Sequence, residues 1–334
     1  MTRVGLVLGG GGIVGMAYHG AVLAGLEEAT GWDPREAEVV VGTSAGAASG
    51  AELRAGISAG DMAARRGGLP FSEDGERQLL ALGPPPQTPP ETVDVDEDRL
   101  REGFRRALWQ AMVAPGTVRP GVLVSLAMSS GTLSTSWLTA IGDWLNGGPQ
   151  WPEQAFWPCA VDVDRGARVV FGRPGAPAAT PGQAVAASCA IPGVNAPVAI
   201  GDRLCLDGGG WSPTNADVLA GLGLDLVIVV SPMSAQPGSR RRGGDARVRA
   251  ACRTMALAEA AQLRAEGTNV VLVEPDAGDL RAMGRLIGID VLDEGRCDAV
   301  VRRVRASTLR RVRGGGYPEL DVLGARRPAL AVAA

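Results

Sequence analysis

The stretch Val39-Val40-Val41-Gly42-Thr43-Ser44-Ala45-Gly46 decides the fold. Three consecutive β-branched residues favour a buried strand, and the Gly-x-Ser-x-Gly that closes the stretch lets that strand turn sharply into the Ala-rich, helix-favouring segment behind it. Such a turn lifts Ser44 into the open at the positive end of the next helix, with the Ala45 N–H aimed at a carbonyl oxygen that is gaining negative charge. Ser44 is therefore a candidate nucleophile. The same residues also suit a plain small-residue turn, so the surrounding chain has to decide between the two.

Upstream, Val4–Leu8 reads as a first buried strand that runs into Gly9-Gly10-Gly11-Gly12-Ile13-Val14-Gly15 and then a helix over 16–29. A strand, glycine loop and helix form an anion-binding device, because the loop N–H groups converge beside a helix N-terminus and serve a phosphate or an oxyanion. Gly10-x-Gly12-x-x-Gly15 formally satisfies the dinucleotide fingerprint, which brings a nicotinamide or flavin protein into consideration. That reading wants an acidic residue at the end of the second strand to hold a ribose. Here the second strand ends in Gly42-Thr43-Ser44, while Asp33, Glu36 and Glu38 fall before it. Neighbouring parallel strands would deliver the glycine loop and the serine turn to one edge of the sheet.

Composition narrows the chemistry. A chain of 334 residues buries a substantial core as one large α/β domain or two modest ones, and one is the expectation. A formal charge of -3 gives no sign of a nucleic-acid partner. All 33 basic residues are arginine, which excludes a Ser-Lys dyad, a Schiff base and a P-loop lysine. Cys159, Cys189, Cys205, Cys252 and Cys297 are widely spaced without a Cys-x-x-Cys pair, so reduced, buried thiols are expected. Arg3 and the apolar residues after it imitate a signal peptide, but Gly9 to Gly12 and His19 interrupt them and no long apolar run occurs elsewhere. A cytoplasmic, soluble protein is the expectation.

An activated serine needs a base. The single histidine, His19, would have to reach Ser44 from the first helix, and a packed helix histidine is the plainer reading. Among the carboxylates, Asp207 stands out in Leu204-Cys205-Leu206-Asp207-Gly208-Gly209-Gly210, an apolar strand that ends in an acid and glycines. Asp207 can accept the serine proton if its basicity suits a buried site. Asp-Gly-Gly also reads as a simple turn.

Taken in order, Gly10-Gly11-Gly12-Ile13-Val14-Gly15, Gly42-Thr43-Ser44-Ala45-Gly46 and Asp207-Gly208-Gly209 resemble the patatin-like phospholipase family. Ala187-Ser188-Cys189-Ala190-Ile191-Pro192-Gly193 resembles the family's approach to its aspartate, and Val14 stands where the family usually has Arg or Lys. The likeness covers residues 1 to about 60 and about 155 to 235 well, and 61–150 little. It implies a three-layer α/β/α fold with a mostly parallel central sheet and a variable helical insertion. It also implies a serine lipid acyl hydrolase with Ser44 as nucleophile, Asp207 as base and the N–H groups of Gly10, Gly11 and Gly12 as oxyanion hole. The substrate would be a lipid or other acyl ester, and no metal or organic cofactor is implied. An acyltransferase using the same dyad and a catalytically weak lipid-binding protein are the rivals.

The rest of the chain reads as one domain over 1–320, with 61–150 a variable cap and 321–334 a flexible tail. Residues 67–98, rich in Pro, Gly and acid, read as a loop or mobile linker. Residues 99–113 read as an amphipathic helix with Leu100, Phe104, Leu108 and Met112 along one side. Trp137, Trp144, Trp151 and Trp157 fit core packing, or a cap or lipid-facing wall beside Ser44. Residues 160–171 resemble a hairpin whose turn Asp162 and Asp164 shape. Strands over 224–230 and 270–273 enclose a helix over 246–265, and an Arg-rich helix over 295–313 docks through Val301, Val304, Thr308 and Val312. Arg240-Arg241-Arg242 reads as a solvated loop, with transient contact to an anionic membrane surface as the alternative.

Overall fold

The computed structural model describes residues 2–89, 91–128, 131–239, 243–286 and 289–323. The Arg240-Arg241-Arg242 run and residues 324–334 of the expected tail lie outside the described residues, whereas Asp321, Val322 and Leu323 belong to a 3-10 turn, Pro318–Leu323.

The chain opens with β1 (Val4–Leu8), α1 (Gly12–Thr30), β2 (Val39–Thr43) and α2 (Ala45–Arg54). Five helices follow: α3 (Ala59–Gly67), α4 (Glu73–Leu82), α5 (Glu97–Val113), α6 (Pro120–Ala127) and α7 (Ser136–Leu145). The sheet resumes with β3 (Ala155–Asp162) and β4 (Ala167–Val170), then α8 (Pro181–Ser188), β5 (Val198–Ile200) and β6 (Arg203–Asp207). β7 (Leu226–Val230), α9 (Gly244–Ala265), β8 (Asn269–Val273), α10 (Ala277–Met283) and α11 (Cys297–Arg313) complete the described elements.

Among the described residues eight strands form one sheet, in the order β5-β6-β3-β2-β1-β7-β8, with β4 paired to β3. β3, β2, β1, β7 and β8 run parallel, while β4, β5 and β6 pair antiparallel. Every residue of β1, β2 and β7 is buried, as expected of strands covered on both faces. The alternation of side chains divides the core. Leu6, Leu8, Val40 and Ile228 pack with α1, α2 and α11 on one face. Val7, Val41, Val227 and Val229 pack with Ala260 and Leu263 of α9 and with Ala216, Val218 and Leu219 on the other. The result is the three-layer α/β/α arrangement with a mostly parallel sheet.

Two expectations need correction. Residues 67–98 are not a continuous loop, because α4 stands inside them. The Ser72 side chain accepts the Gly75 N–H at 3.0 Å and Glu73, Asp74 and Glu76 complement the helix dipole, so local capping outweighs the Pro and Gly content around it. Along α5 the docking face differs from the expected stripe: Leu100 is buried and Phe104 half-buried, but the helix then packs through the small residues Ala107 and Ala111, which leaves Leu108 and Met112 exposed. Trp157 is buried, Trp144 and Trp151 are half-buried and donate to the Leu82 and Ala179 carbonyls, and Trp137 is 41 % exposed. The hairpin forms as expected, and Asp162 shapes its turn by accepting the Asp164 and Arg165 N–H groups. No described helix is long and apolar enough to cross a membrane.

Candidate active site

β2 ends at Thr43, and Ser44 turns the chain with φ 53° and ψ −121°, a conformation sparsely populated by any residue with a side chain. The turn is held from both sides. A Cβ on Gly46 would lie 1.8 Å from the Leu8 carbonyl oxygen, so only glycine lets α2 start this close to the end of β1. On the other side the Ser44 N–H donates to Ser188 Oγ at 2.9 Å, and the Ser188 hydroxyl donates to the Cys159 carbonyl at 2.6 Å.

β3 serves as the ruler that brings Asp207 to Ser44. Thr43 pairs with Cys159 on β3, and Asp207 at the end of the antiparallel β6 pairs with Ala160, the next residue along. Asp207 is 6 % exposed, and the Ser44 side chain interacts with its carboxyl group. Burial raises the Asp207 pKa to about 6, with the Gly209 N–H, which donates to Oδ1 at 2.7 Å, and the Ser44 hydroxyl pulling in the other direction. Its own N–H donates to the Ala190 carbonyl at 3.0 Å, so the 187–193 stretch lines the site from Ser188 onward. Cys189 in that stretch is buried, and burial followed by the Asp207 charge holds its thiol well above the usual range. A neutral thiol therefore faces the pair.

The glycine loop lies against the serine: a Cβ on Gly10 would stand 3.7 Å from Ser44 Cβ. The Gly10 N–H is already engaged, donating to the Pro213 carbonyl at 2.8 Å. Gly11 and Gly12 stand at the head of α1, where the first N–H groups of a helix have no intrahelical acceptor, and Ala45 has the same position on α2. Gly12 needs its freedom, with φ +64° and Val291 O only 2.5 Å from where a Cβ would be. Val14 is buried in the core, 1 % exposed, so this position faces packing. His19 is also buried. Its Nδ1 pairs with Ser49 Oγ at 3.0 Å, and burial drives its pKa down to about 3, so it is a neutral packed histidine.

Sequence reasoning did not assign a group of residues that joins the two loops. Asn215, fully buried at φ 55°, donates from Nδ2 to Thr43 Oγ1 at 3.0 Å, to the Ser212 carbonyl at 2.7 Å and to the Gly208 carbonyl at 3.4 Å. One amide thus ties the residue before Ser44 to the residue after Asp207. Glu259 of α9 secures the same turn by accepting Thr214 Oγ1 at 2.6 Å and the Ala216 N–H at 2.9 Å, and Arg119 lies 3.3 Å from its carboxylate. The available signal was Asn itself, which tolerates the left-handed region, in a turn that follows the Asp-Gly-Gly motif. All five cysteines are free and buried. Among the described residues no group of three or more His, Cys, Asp or Glu side chains is arranged to hold a metal ion.

Comparison with known proteins gives one family. The family model described as "Patatin-like phospholipase" matches residues 6–220. No curated protein matches the chain.

Proposed function

The chain belongs to the patatin-like phospholipase family, and on that premise we propose that it cleaves carboxylic esters of lipids through an acyl-serine intermediate with Ser44 and Asp207 as a dyad. Family membership supports lipid acyl hydrolase activity in general. The observation that carries the finer reading is the strained Ser44 turn, with its hydroxyl against a buried carboxyl whose pKa is raised to about 6. A carboxylate of that basicity is ionised at neutral pH and yet a far better proton acceptor than a solvated aspartate.

In the proposed reaction Ser44 Oγ attacks the ester carbonyl while the Asp207 carboxylate takes the hydroxyl proton. The oxyanion that forms is met by the N–H groups of Gly11, Gly12 and Ala45 at the heads of two helices. As the carbonyl re-forms, the C–O bond to the alcohol breaks and the proton on Asp207 passes to the leaving oxygen. Water then gives a proton to Asp207 and attacks the acyl-serine; the proton returns to Ser44 as the fatty acid leaves. The substrate is a lipid acyl ester met at an aggregate or membrane surface, and the site needs no cofactor for these steps.

The test is labelling of the purified protein with a fluorophosphonate probe, followed by peptide mapping. Ser44 should carry the label, Ser44→Ala should abolish it, and Asp207→Asn should slow it by roughly 10² to 10⁴. A folded protein that is not labelled, or is labelled equally fast without Asp207, would refute the dyad.

A further inference from the structure

A serine on a helix can return its hydroxyl to the carbonyl one turn back. Ser188, the last residue of α8 and fully buried, turns its hydroxyl outward from the helix instead: it accepts the Ser44 N–H at 2.9 Å and donates to the Cys159 carbonyl of β3 at 2.6 Å. Its one O–H is thereby committed, and the hydroxyl has a single direction.

The two groups that it joins belong to one ladder. Successive carbonyls of a strand face opposite neighbours. The Pro158 carbonyl accepts the Phe171 N–H, just past β4, at 2.9 Å, so the Cys159 carbonyl faces β2, whose last residue, Thr43, is paired with Cys159. In a regular parallel pair the next rung would run from the Ser44 N–H to that carbonyl. The Ser188 hydroxyl stands in the place of this rung. β2 therefore stops at Thr43, and Ser44 takes φ 53° while its N–H and the Cys159 carbonyl both keep a partner.

The segment that carries Ser188 also reaches the other half of the candidate dyad. Two residues on, the Ala190 carbonyl accepts the Asp207 N–H at 3.0 Å, and a Cβ on Gly208 would lie 2.1 Å from the Cys159 carbonyl oxygen. The far end of the Ser188 bridge is thus the point against which the turn after Asp207 rests. α8 itself is anchored at its start, where Asp143 of α7 accepts the Gly182 N–H at 2.8 Å and the Thr180 hydroxyl at 3.0 Å.

Resting on the acyl-serine reading, we infer that Ser188 is a positioning residue: its hydroxyl, set between the end of β2 and β3, holds Ser44 in the strained turn and so keeps the nucleophile in line with Asp207. Without that hydroxyl, the buried Ser44 N–H and Cys159 carbonyl regain partners by closing on each other, which draws Ser44 toward β3 and out of the turn. A displacement of about 1 Å in a reacting group costs roughly 10²-fold in rate.

The test is the kinetics of fluorophosphonate labelling at Ser44 over a range of probe concentrations. Ser188→Ala should lower the limiting rate by roughly 10²-fold and leave the half-saturating concentration within roughly twofold, because the space that receives the probe is unchanged. Ser188→Cys, which fills the same place but accepts an N–H weakly, should be nearly as slow. Ser49→Ala is the control: Ser49 is a buried α2 hydroxyl that pairs with His19 at 3.0 Å, and its loss should leave the labelling rate as it was. An unmodified rate in Ser188→Ala, rescue by Ser188→Cys, or equal slowing in Ser49→Ala overturns the inference, since the turn would then hold by itself, by packing, or by the general firmness of α2. Hydrogen exchange decides the matter even where both Ser188 variants fail to fold. In the unmodified protein the Ser44 N–H, although outside β2 and α2, should exchange as slowly as the N–H groups of β2, and exchange at the rate of an exposed loop overturns the bridge. If the unmodified protein takes no label at all, the acyl-serine reading itself fails.

Discussion

A carboxyl group as buried as Asp207 beside a serine hydroxyl is held between two demands, and its titration decides both reactivity and stability. With a folded pKa of about 6, the ionised base accumulates as pH rises through that value. Labelling of Ser44 and ester hydrolysis should therefore climb roughly tenfold per pH unit below the midpoint and level off above it; a rate flat from pH 4.5 to 8 would exclude Asp207 as the base. Stability moves the other way. An unfolded aspartate titrates near ~3.9, so the folded protein holds this proton more tightly and the benefit is complete below that value. It is lost as pH rises through about 6, leaving a cost on the order of 3 kcal/mol at pH 8. Asp207→Asn, which still accepts the Gly209 N–H, should accordingly raise the melting temperature at pH 8 and leave it nearly unchanged at pH 4, as read by calorimetry. Equal shifts at both pH values would mean that burial of the charge is not the cause. Asn215 invites a third test at this scale. Asn215→Gly keeps φ 55° without strain but deletes the amide that joins Thr43 to Gly208. Labelling should slow by roughly tenfold or more, since each lost hydrogen bond is worth about 0.5–1.5 kcal/mol. An unchanged rate would show that the two loops hold their geometry without it.

At the scale of elements, the β2–α2 junction depends on how closely two backbones approach. Gly46→Ala drives a methyl group into the Leu8 carbonyl, so β1 or α2 must shift and Ser44 with it. A loss of about 1–3 kcal/mol or more in denaturant unfolding and loss of probe labelling are expected. The control is Gly60→Ala in α3, where the nearest atom to a new Cβ is Ser58 Oγ at 3.7 Å, and where helix propensity should add up to ~1 kcal/mol. Comparable losses in both variants would refute the steric argument. The same junction explains what the sequence could reveal. The β1–glycine loop–α1 and β2–Ser44–α2 units were legible because each is local: a buried strand, a glycine turn and a helix within a few dozen residues. α4 was obscured because its capping serine is a single residue amid Pro- and Gly-rich chain, and composition spoke louder than the cap. α5 was legible as a helix, but its docking through Ala107 and Ala111 rather than Leu108 and Met112 was not, since periodicity says nothing of what lies opposite. Asp207 could be picked out as a strand-end acid, yet its approach to Ser44 depends on β6 running antiparallel beside β3 in one register. The hold of Glu259 on Thr214 and Ala216, either side of Asn215, comes from α9, more than forty residues on, and left no local pattern to read.

The family match stops at residue 220, but the fold does not. β7 pairs with β1 along its whole length, Val4 with Leu226 through Leu8 with Val230, and β8 covers its other edge. The Gly9 N–H, at the start of the glycine loop, donates to the Val230 carbonyl at 2.9 Å. Glu259 of α9 fixes the turn after Asp207, and α11 is a principal packing partner of α1, with Val300, Val301 and Val304 buried in the same core as Leu6 and Val40. The candidate dyad therefore comes wholly from the matched part, while much of what holds its two loops lies beyond it. A fragment ending at residue 220 would leave one edge of β1 unpaired and would remove α11 from one side of the core and α9 from the other, uncovering part of the packing around Leu6, Val7 and Leu8. Expressed alone, residues 1–220 should show no cooperative thermal transition, should bind a hydrophobic dye, and should not react with a fluorophosphonate at Ser44. The complementary experiment keeps the whole chain and changes one contact: Glu259→Leu removes the acceptor of Thr214 and Ala216 and leaves Arg119 without that partner. A loss of about 1–3 kcal/mol is expected for each of the buried Thr214 hydroxyl and Ala216 N–H left without an acceptor, together with slower labelling of a Ser44 that Glu259 does not touch. If the fragment instead melts cooperatively and labels at the full-chain rate, the segment beyond residue 220 is an addition to a self-sufficient fold, and the support assigned to β7, α9 and α11 is refuted.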